Sequence, residues 1–84
     1  MATSKAKELQ LRLDTIGEMI QDVKEINAIM VLSHSVRIKS SLLLTKKDIL
    51  SKIQINRGGM IDKELEKYGL LEYANALTSM TEGL

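Results

Sequence analysis

Residues 4–32 have the sequence SKAKELQLRLDTIGEMIQDVKEINAIMVL, in which mostly aliphatic side chains recur at alternating spacings of four and three. Such a heptad row is typical of an amphipathic helix that packs against another helix. Thr3 or Ser4 is a suitable N-cap for this helix. The row consists of Leu9, Leu13, Ile16, Ile20, Val23, Asn27 and Met30.

The length of this helix predicts self-association. At a rise of 1.5 Å per residue, residues 4–32 would span ~43 Å, whereas a compact globule of this chain length has a radius of gyration of ~12 Å. We therefore expect the helix to project beyond the globule or to be covered by a second copy, with the heptad row as the oligomer interface. Asn27 within it either fixes the register of that oligomer or is exposed by the helix twist. Gly17 either marks the close approach of another helix or is a tolerated weak point.

The middle of the chain is predicted to contain two short helices. Residues 33–35, Ser-His-Ser, interrupt the heptad row and predict a break. Residues 36–44 fit a strand or a helix, and we predict a helix because a strand without a pairing partner is not a stable element. Thr45, followed three residues later by Asp48, resembles a capping box and predicts a separate helix over residues 46–55.

The C-terminal part is predicted to be one further helix. Residues 56–59, Asn-Arg-Gly-Gly, tolerate positive φ and predict a helix cap and a turn. A helix over residues 60–80 should follow, with a bend or break at Gly69. Together these segments predict an all-α single domain over residues 1–84, a small bundle of about four helices with a long N-terminal amphipathic helix.

Composition limits the chemistry of this chain. The 84 residues are 44% hydrophobic and 27% charged, with one His and no Cys. The absence of Cys excludes disulfides, thiolate metal sites and a cysteine nucleophile. The chain begins without an apolar signal core, so we expect a cytoplasmic protein. We also expect no cofactor, no membrane span and no enzyme activity.

Two short motifs have both a catalytic and an ordinary interpretation. His34 lies between Ser33 and Ser35, but adjacent residues on a local turn rarely align as nucleophile and base, so we expect an ordinary loop or helix-end residue. Residues 57–59, Arg-Gly-Gly, could hold a phosphate. They lack the ending of a P-loop, and the more frequent explanation of such glycines is a helix cap.

Charge is distributed unevenly along the chain. The net charge is −1 over residues 1–32, +5 over residues 33–59 and −3 over residues 60–84. The basic middle predicts a partner-binding patch, which could instead be solvated or face acidic helices of the same fold or of a second copy. The patch consists of Arg37, Lys39, Lys46, Lys47, Lys52 and Arg57.

The basic middle supports two functions. We expect the chain to be a small non-enzymatic regulator that binds and modulates, by inhibition, a partner protein. The alternative is a nucleic-acid-binding regulator, because residues 45–68 have the outline of a helix-turn-helix. Its second helix, however, carries three acidic residues against two lysines and no side chain suited to base edges over residues 61–68.

As a whole, the compact Lys/Glu/Ile-rich chain without Pro or Cys is similar to small accessory and regulatory proteins of T4-like phages, including cytoplasmic antiholin-type lysis regulators. This resemblance implies a phage or host target that is held in check by a stoichiometric helical inhibitor. It assigns no role to an individual residue.

Overall fold

The computed structural model describes residues 4–84, which form four α-helices: α1 (Lys5–Leu32), α2 (Val36–Gly58), α3 (Asp62–Lys67) and α4 (Leu71–Glu82). No strand occurs in this range, so the all-α fold of about four helices is confirmed. Helices α1 and α2 form a long hairpin, against which α4 packs, and α3 packs against α4.

The shape is elongated. The radius of gyration is 15.1 Å and the principal extents are 48 × 27 × 16 Å, compared with ~12 Å for the radius of gyration of a compact chain of this length. The 28 residues of α1 rise about 42 Å. Helix α1 therefore runs along most of the molecule, as its sequence predicted.

Serine side chains mark the beginnings of both long helices. The Oγ of Ser4 accepts a hydrogen bond of 3.2 Å from the backbone N–H of Lys7, whereas the alternative cap, Thr3, lies outside the described residues. At the predicted break, the Oγ of Ser35 accepts a 3.3 Å hydrogen bond from the N–H of Ile38. These contacts satisfy backbone donors that have no partner within the helix.

Helix α2 is continuous, so the predicted division into helices over residues 36–44 and 46–55 is wrong. The capping box at Thr45 is also wrong, because its hydroxyl donates a 3.2 Å hydrogen bond to the carbonyl of Ser41 one turn earlier. A threonine within a helix commonly satisfies its hydroxyl in this way. Asp48 instead pairs with Lys52 on the same helix. The choice of helix over strand for residues 36–44 is confirmed.

The predicted turn at residues 56–59 differs in its geometry. Helix α2 includes Gly58, and Gly59 has an ordinary φ of −80°. The N–H of Gly59 is bonded to the carbonyl of Ile55 at 3.2 Å. The two glycines therefore end the helix without the positive φ that their sequence allows.

The predicted helix over residues 60–80 is two helices, α3 and α4, and the predicted break at Gly69 separates them. Gly69 has a φ of 72°. Its N–H bonds to the carbonyl of Glu66 at 3.1 Å, and the next N–H, of Leu70, bonds to the carbonyl of Leu65 at 2.7 Å. This pair of bonds is the Schellman motif, which favours glycine at the left-handed position.

The core lies where all the helices meet. Leu9, Leu13, Ile16 and Ile20 of α1 are at most 1% exposed. They are clustered with Ile53 of α2, Met60, Leu65 of α3 and Ala74 and Leu77 of α4. The chain thus covers most of its own heptad row.

This burial removes most of the predicted oligomer interface from the surface on which a second copy could pack, whereas self-association itself stays a prediction. Val23 is also fully buried, and Asn27 and Met30 are half-buried within one chain. The prediction compared the length of α1 with the size of a compact globule and took α2 as two short helices, which could not cover a helix as long as α1. One helix of 23 residues can do so.

Candidate functional site

Helix α4 runs beside α1 in the same direction. The hydroxyl of Tyr73 contacts Asp14 at 2.7 Å. One turn further along α4, Leu77 lies against Gly17. A Cβ added to Gly17 would be 3.7 Å from the Cδ2 of Leu77. From Tyr73 to Leu77 the contacts advance by four residues along α4, and from Asp14 to Gly17 they advance by three along α1, so the two helices run parallel. Helix α4 ends at Glu82, five residues after Leu77, so its end comes level with about residue 22 of α1.

The α1–α2 hairpin therefore extends beyond the level at which α4 ends. We call residues 24–47, the loop end of this hairpin, the arm, and the remainder of residues 4–84 the body. Two buried residues of the arm side of α1, Val23 at its base and Ile26 within it, lie outside the core cluster that unites α1, α2, α3 and α4. The arm therefore consists of two helices only, whereas all four helices contribute to the body.

The arm carries most of the exposed aliphatic surface. Of the eleven large hydrophobic side chains that are exposed in residues 4–84, seven lie in the arm. These seven are Ile29, Val31, Leu32, Val36, Ile38, Leu43 and Leu44. The most exposed, Val31, Leu32 and Val36, flank the connection between the helices and are 78–81% exposed. Our sequence interpretation missed this surface, although aliphatic residues on both sides of residues 33–35 were a visible signal.

A cleft lies next to the base of the arm, between α1, α2 and α4. Its volume is about 420 Å³. Four aliphatic side chains from the three helices line it, and Gln54, Arg57 and two threonines of α4 contribute polar groups. The lining residues are Ile16, Leu50, Ile53, Gln54, Arg57, Gly58, Leu77, Thr78 and Thr81.

The predicted basic patch is not one surface. At 100° per residue, Lys39, Lys46 and Arg57 fall on one side of α2, whereas Arg37 and Lys52 fall on the opposite side. The ammonium of Lys52 lies 3.1 Å from the carboxylate of Asp48. Only four of the six residues, Arg37, Lys39, Lys46 and Lys47, belong to the arm.

Arg57 is instead engaged within the body. Its guanidinium donates hydrogen bonds to the hydroxyl of Thr78 at 3.2 Å and to the carboxylate of Asp62 at 3.3 Å. Only 20% of its side chain is exposed. Arg57 therefore joins α2 to α3 and α4, in agreement with the alternative that part of the basic middle faces acidic residues of its own fold.

The remaining candidates from the sequence are His34 with its two serines, the helix-turn-helix outline and a metal site. The hydroxyl of Ser33 accepts a 3.3 Å bond from the N–H of Ser35, and Ser35 caps α2, so both serines flanking His34 bind backbone. The helix that would read bases is α3, which has only six residues and two acidic side chains in its first turn. Within residues 4–84, no three His, Cys, Asp or Glu side chains form a group that could hold a metal ion.

No helix described in residues 4–84 combines the length and the apolarity that crossing a bilayer requires. Comparison with protein-family models, with curated proteins and with solved structures finds no match to this chain.

Proposed function

We propose that this chain is a small non-enzymatic regulatory protein that binds a partner protein through the arm and inhibits it by stoichiometric binding. The observation that supports this proposal is the grouping of seven exposed large aliphatic side chains in residues 24–47. Scattered single apolar side chains are normal on protein surfaces, whereas contiguous groups of them are typical of interaction sites. Within the seven, Val36 and Leu43 are seven residues apart and share one side of α2.

The energetic scale also favours a protein as the partner. Burying one large aliphatic side chain contributes about 1.5–3 kcal/mol, whereas association costs about 4–15 kcal/mol in lost freedom of motion. A single aliphatic contact is too weak to offset this cost. A protein surface that covers several of the seven arm residues at once can do so.

The construction of the arm favours binding by a preformed surface. Helix α1 continues from the core residue Ile20 into the arm without a break. A surface held by two continuous helices loses little conformational freedom on binding, which reduces the cost of association. The similarity to antiholin-type regulators and the cytoplasmic location stay predictions, and both agree with this mode of action.

The test is photo-crosslinking at two matched positions, in the cells in which the protein is naturally expressed. Val36 and Ile55 both lie on α2 and are 78% and 74% exposed, but only Val36 belongs to the arm. A photoreactive residue at Val36 should yield one dominant crosslinked protein, and the same residue at Ile55 should not. Equal products at both positions, or none at Val36, would contradict the proposal.

A further inference from the structure

The side of α1 that faces α4 can be followed into the arm. Gly17 lies on this side, since Leu77 of α4 is its neighbour. Lys24, Ala28 and Val31 follow Gly17 by 7, 11 and 14 residues, which are close to whole numbers of helical turns. All three are exposed, Val31 by 81%. They form the α1 half of a surface that continues the path of α4.

The α2 half of this surface follows from Leu50, which lines the cleft beside α4. Leu43 and Val36 precede Leu50 by 7 and 14 residues, and Lys47 and Lys39 precede it by 3 and 11. These spacings place all four on the side of α2 that bears Leu50. Leu43 is 44% and Val36 is 78% exposed. We call the two halves together the α4-side face of the arm.

This face has one sign of charge. Its apolar members are Ala28, Val31, Val36 and Leu43, and no carboxylate occupies any of its positions. Its charged members are four lysines, because Lys46 precedes Leu50 by four residues and lies on the same side of α2. The arm as a whole has five basic residues and one acidic residue, a net charge of +4. An apolar row flanked by lysines is complementary to an apolar row flanked by carboxylates.

We propose that the occupant of the α4-side face is an acidic amphipathic helix of the partner protein. The inference rests on the proposed function and specifies the chemistry of the partner. The helix lies in line with α4, packs apolar side chains on Val31, Val36 and Leu43, and places Glu or Asp side chains next to Lys39 and Lys47. The uncovered length of α1, residues 24–32, corresponds to about two to three turns of such a helix.

Other occupants fit this face less well. The arm of a second copy carries the same net charge of +4, so pairing two arms would place like charges together. Nucleic acid would contact the lysines but leave the aliphatic row exposed, since phosphates and base edges offer little apolar surface to cover it. An acidic helix satisfies both parts of the face.

The experiment is a selection from an unbiased displayed library of helical peptides against the full chain. The enriched peptides should combine apolar residues at spacings of three and four with a clear excess of Glu and Asp. A labelled synthetic copy of the leading peptide then serves as the probe. Its binding should cause NMR shifts at Val31, Val36 and Leu43 and should weaken as salt is raised.

Charge reversal provides the matched control. The double variant Lys39→Glu/Lys47→Glu should bind the synthetic peptide at least about tenfold more weakly. The variant Arg37→Glu/Lys52→Glu has the same net charge but changes the opposite side of α2, and it should bind with less than about threefold change. Circular dichroism of both variants should retain the helical spectrum.

The outcomes separate this inference from the proposed function. Peptides that bind the arm without an acidic excess would overturn the acidic helix and leave protein binding by the arm intact. Peptides that bind only the body, or no enriched peptide, would contradict both. Tighter binding of a DNA duplex of about 20 base pairs or of anionic vesicles at ~0.15 M salt would also overturn the acidic helix. The acidic helix would likewise be overturned if the parent protein self-associated and the variant Lys39→Glu/Lys47→Glu did not.

Discussion

Tyr73 and Asp14 are 59 residues apart in the chain, and a hydrogen bond of 2.7 Å from the phenol to the carboxylate joins them. The bond links the first turns of α4 to the middle of α1. Because the position of α4 determines where the body ends and the arm begins, this pair contributes directly to the architecture that the proposed function requires.

Replacing Tyr73 by Phe should lower the free energy of unfolding by about 0.5–1.5 kcal/mol, the usual contribution of one intramolecular hydrogen bond. Tyr68→Phe is the matched control, since Tyr68 contacts Lys67 through its ring and that contact survives loss of the hydroxyl. Urea unfolding near neutral pH measures both. An equal loss in the two variants would contradict a specific role for the Tyr73 hydroxyl.

The same bond predicts a pH dependence. The hydrogen bond to Asp14, then burial, then the negative charge of Asp14 raise the pKa of Tyr73 above its usual value of 10.0. The folded state therefore holds this proton more tightly than the unfolded state. Its contribution to stability is complete below about pH 10 and is lost as the pH rises through the folded pKa.

Tyr73→Phe should accordingly remove part of the alkaline loss of stability. Urea unfolding at about pH 9 and above pH 10 should show a smaller decrease for the variant than for the parent protein. A steeper decrease in the variant would mean that the folded state lowers this pKa instead of raising it.

Gly17→Ala should stabilise the protein by about 1 kcal/mol, because alanine is favoured over glycine within a helix. An added Cβ would lie 3.7 Å from Leu77 and 3.8 Å from the hydroxyl of Tyr73, which are ordinary contact distances. Thermal unfolding measures the gain. A destabilised variant would show that α4 approaches α1 more closely than these distances indicate.

Gly69→Ala should destabilise the protein by about 1–2 kcal/mol, because a side chain at its φ of 72° is strained. Gly69→Asn is the control, since asparagine adopts the left-handed region more readily than alanine and should cost less. Urea unfolding distinguishes the two. Equal stability of all three proteins would contradict the Schellman motif between α3 and α4.

Leu13→Ala and Leu43→Ala remove the same atoms from very different surroundings. Leu13 is fully buried, and its truncation should cost about 2–5 kcal/mol. Leu43 is 44% exposed, so its truncation should cost less than about 1 kcal/mol. Comparable losses of unfolding free energy in the two variants would show that Leu43 is buried in solution, which would contradict an exposed arm.

Local signals in the sequence predicted much of this fold. The heptad row identified α1 as one long helix, Ser-His-Ser at residues 33–35 identified its end, and Gly69 identified the break before α4. Thr45 was misleading because a threonine caps a helix in one context and bonds to the preceding turn in another. The four residues from Thr45 to Asp48 are the same in both contexts, so the local motif alone does not distinguish them.

The candidate site was harder to predict for the same reason. The aliphatic residues of the heptad row from Leu9 to Val23 look like those of the arm in sequence, yet the former are buried whereas Val31 and Val36 are exposed. Which apolar residues become core depends on where α4 ends. The basic residues 37–57 were likewise grouped by their positions in the sequence, whereas the helix distributes them around its circumference.

Amide hydrogen exchange of the free protein compares the body and the arm within the same helices. We expect the amides of residues 9–20 to exchange only by global unfolding, because all the helices contribute to their surroundings, and the amides of residues 26–32 and 37–43 to exchange faster through local opening of the two-helix arm. Protection that is uniform along α1 and α2 would contradict an arm that stands open for a partner.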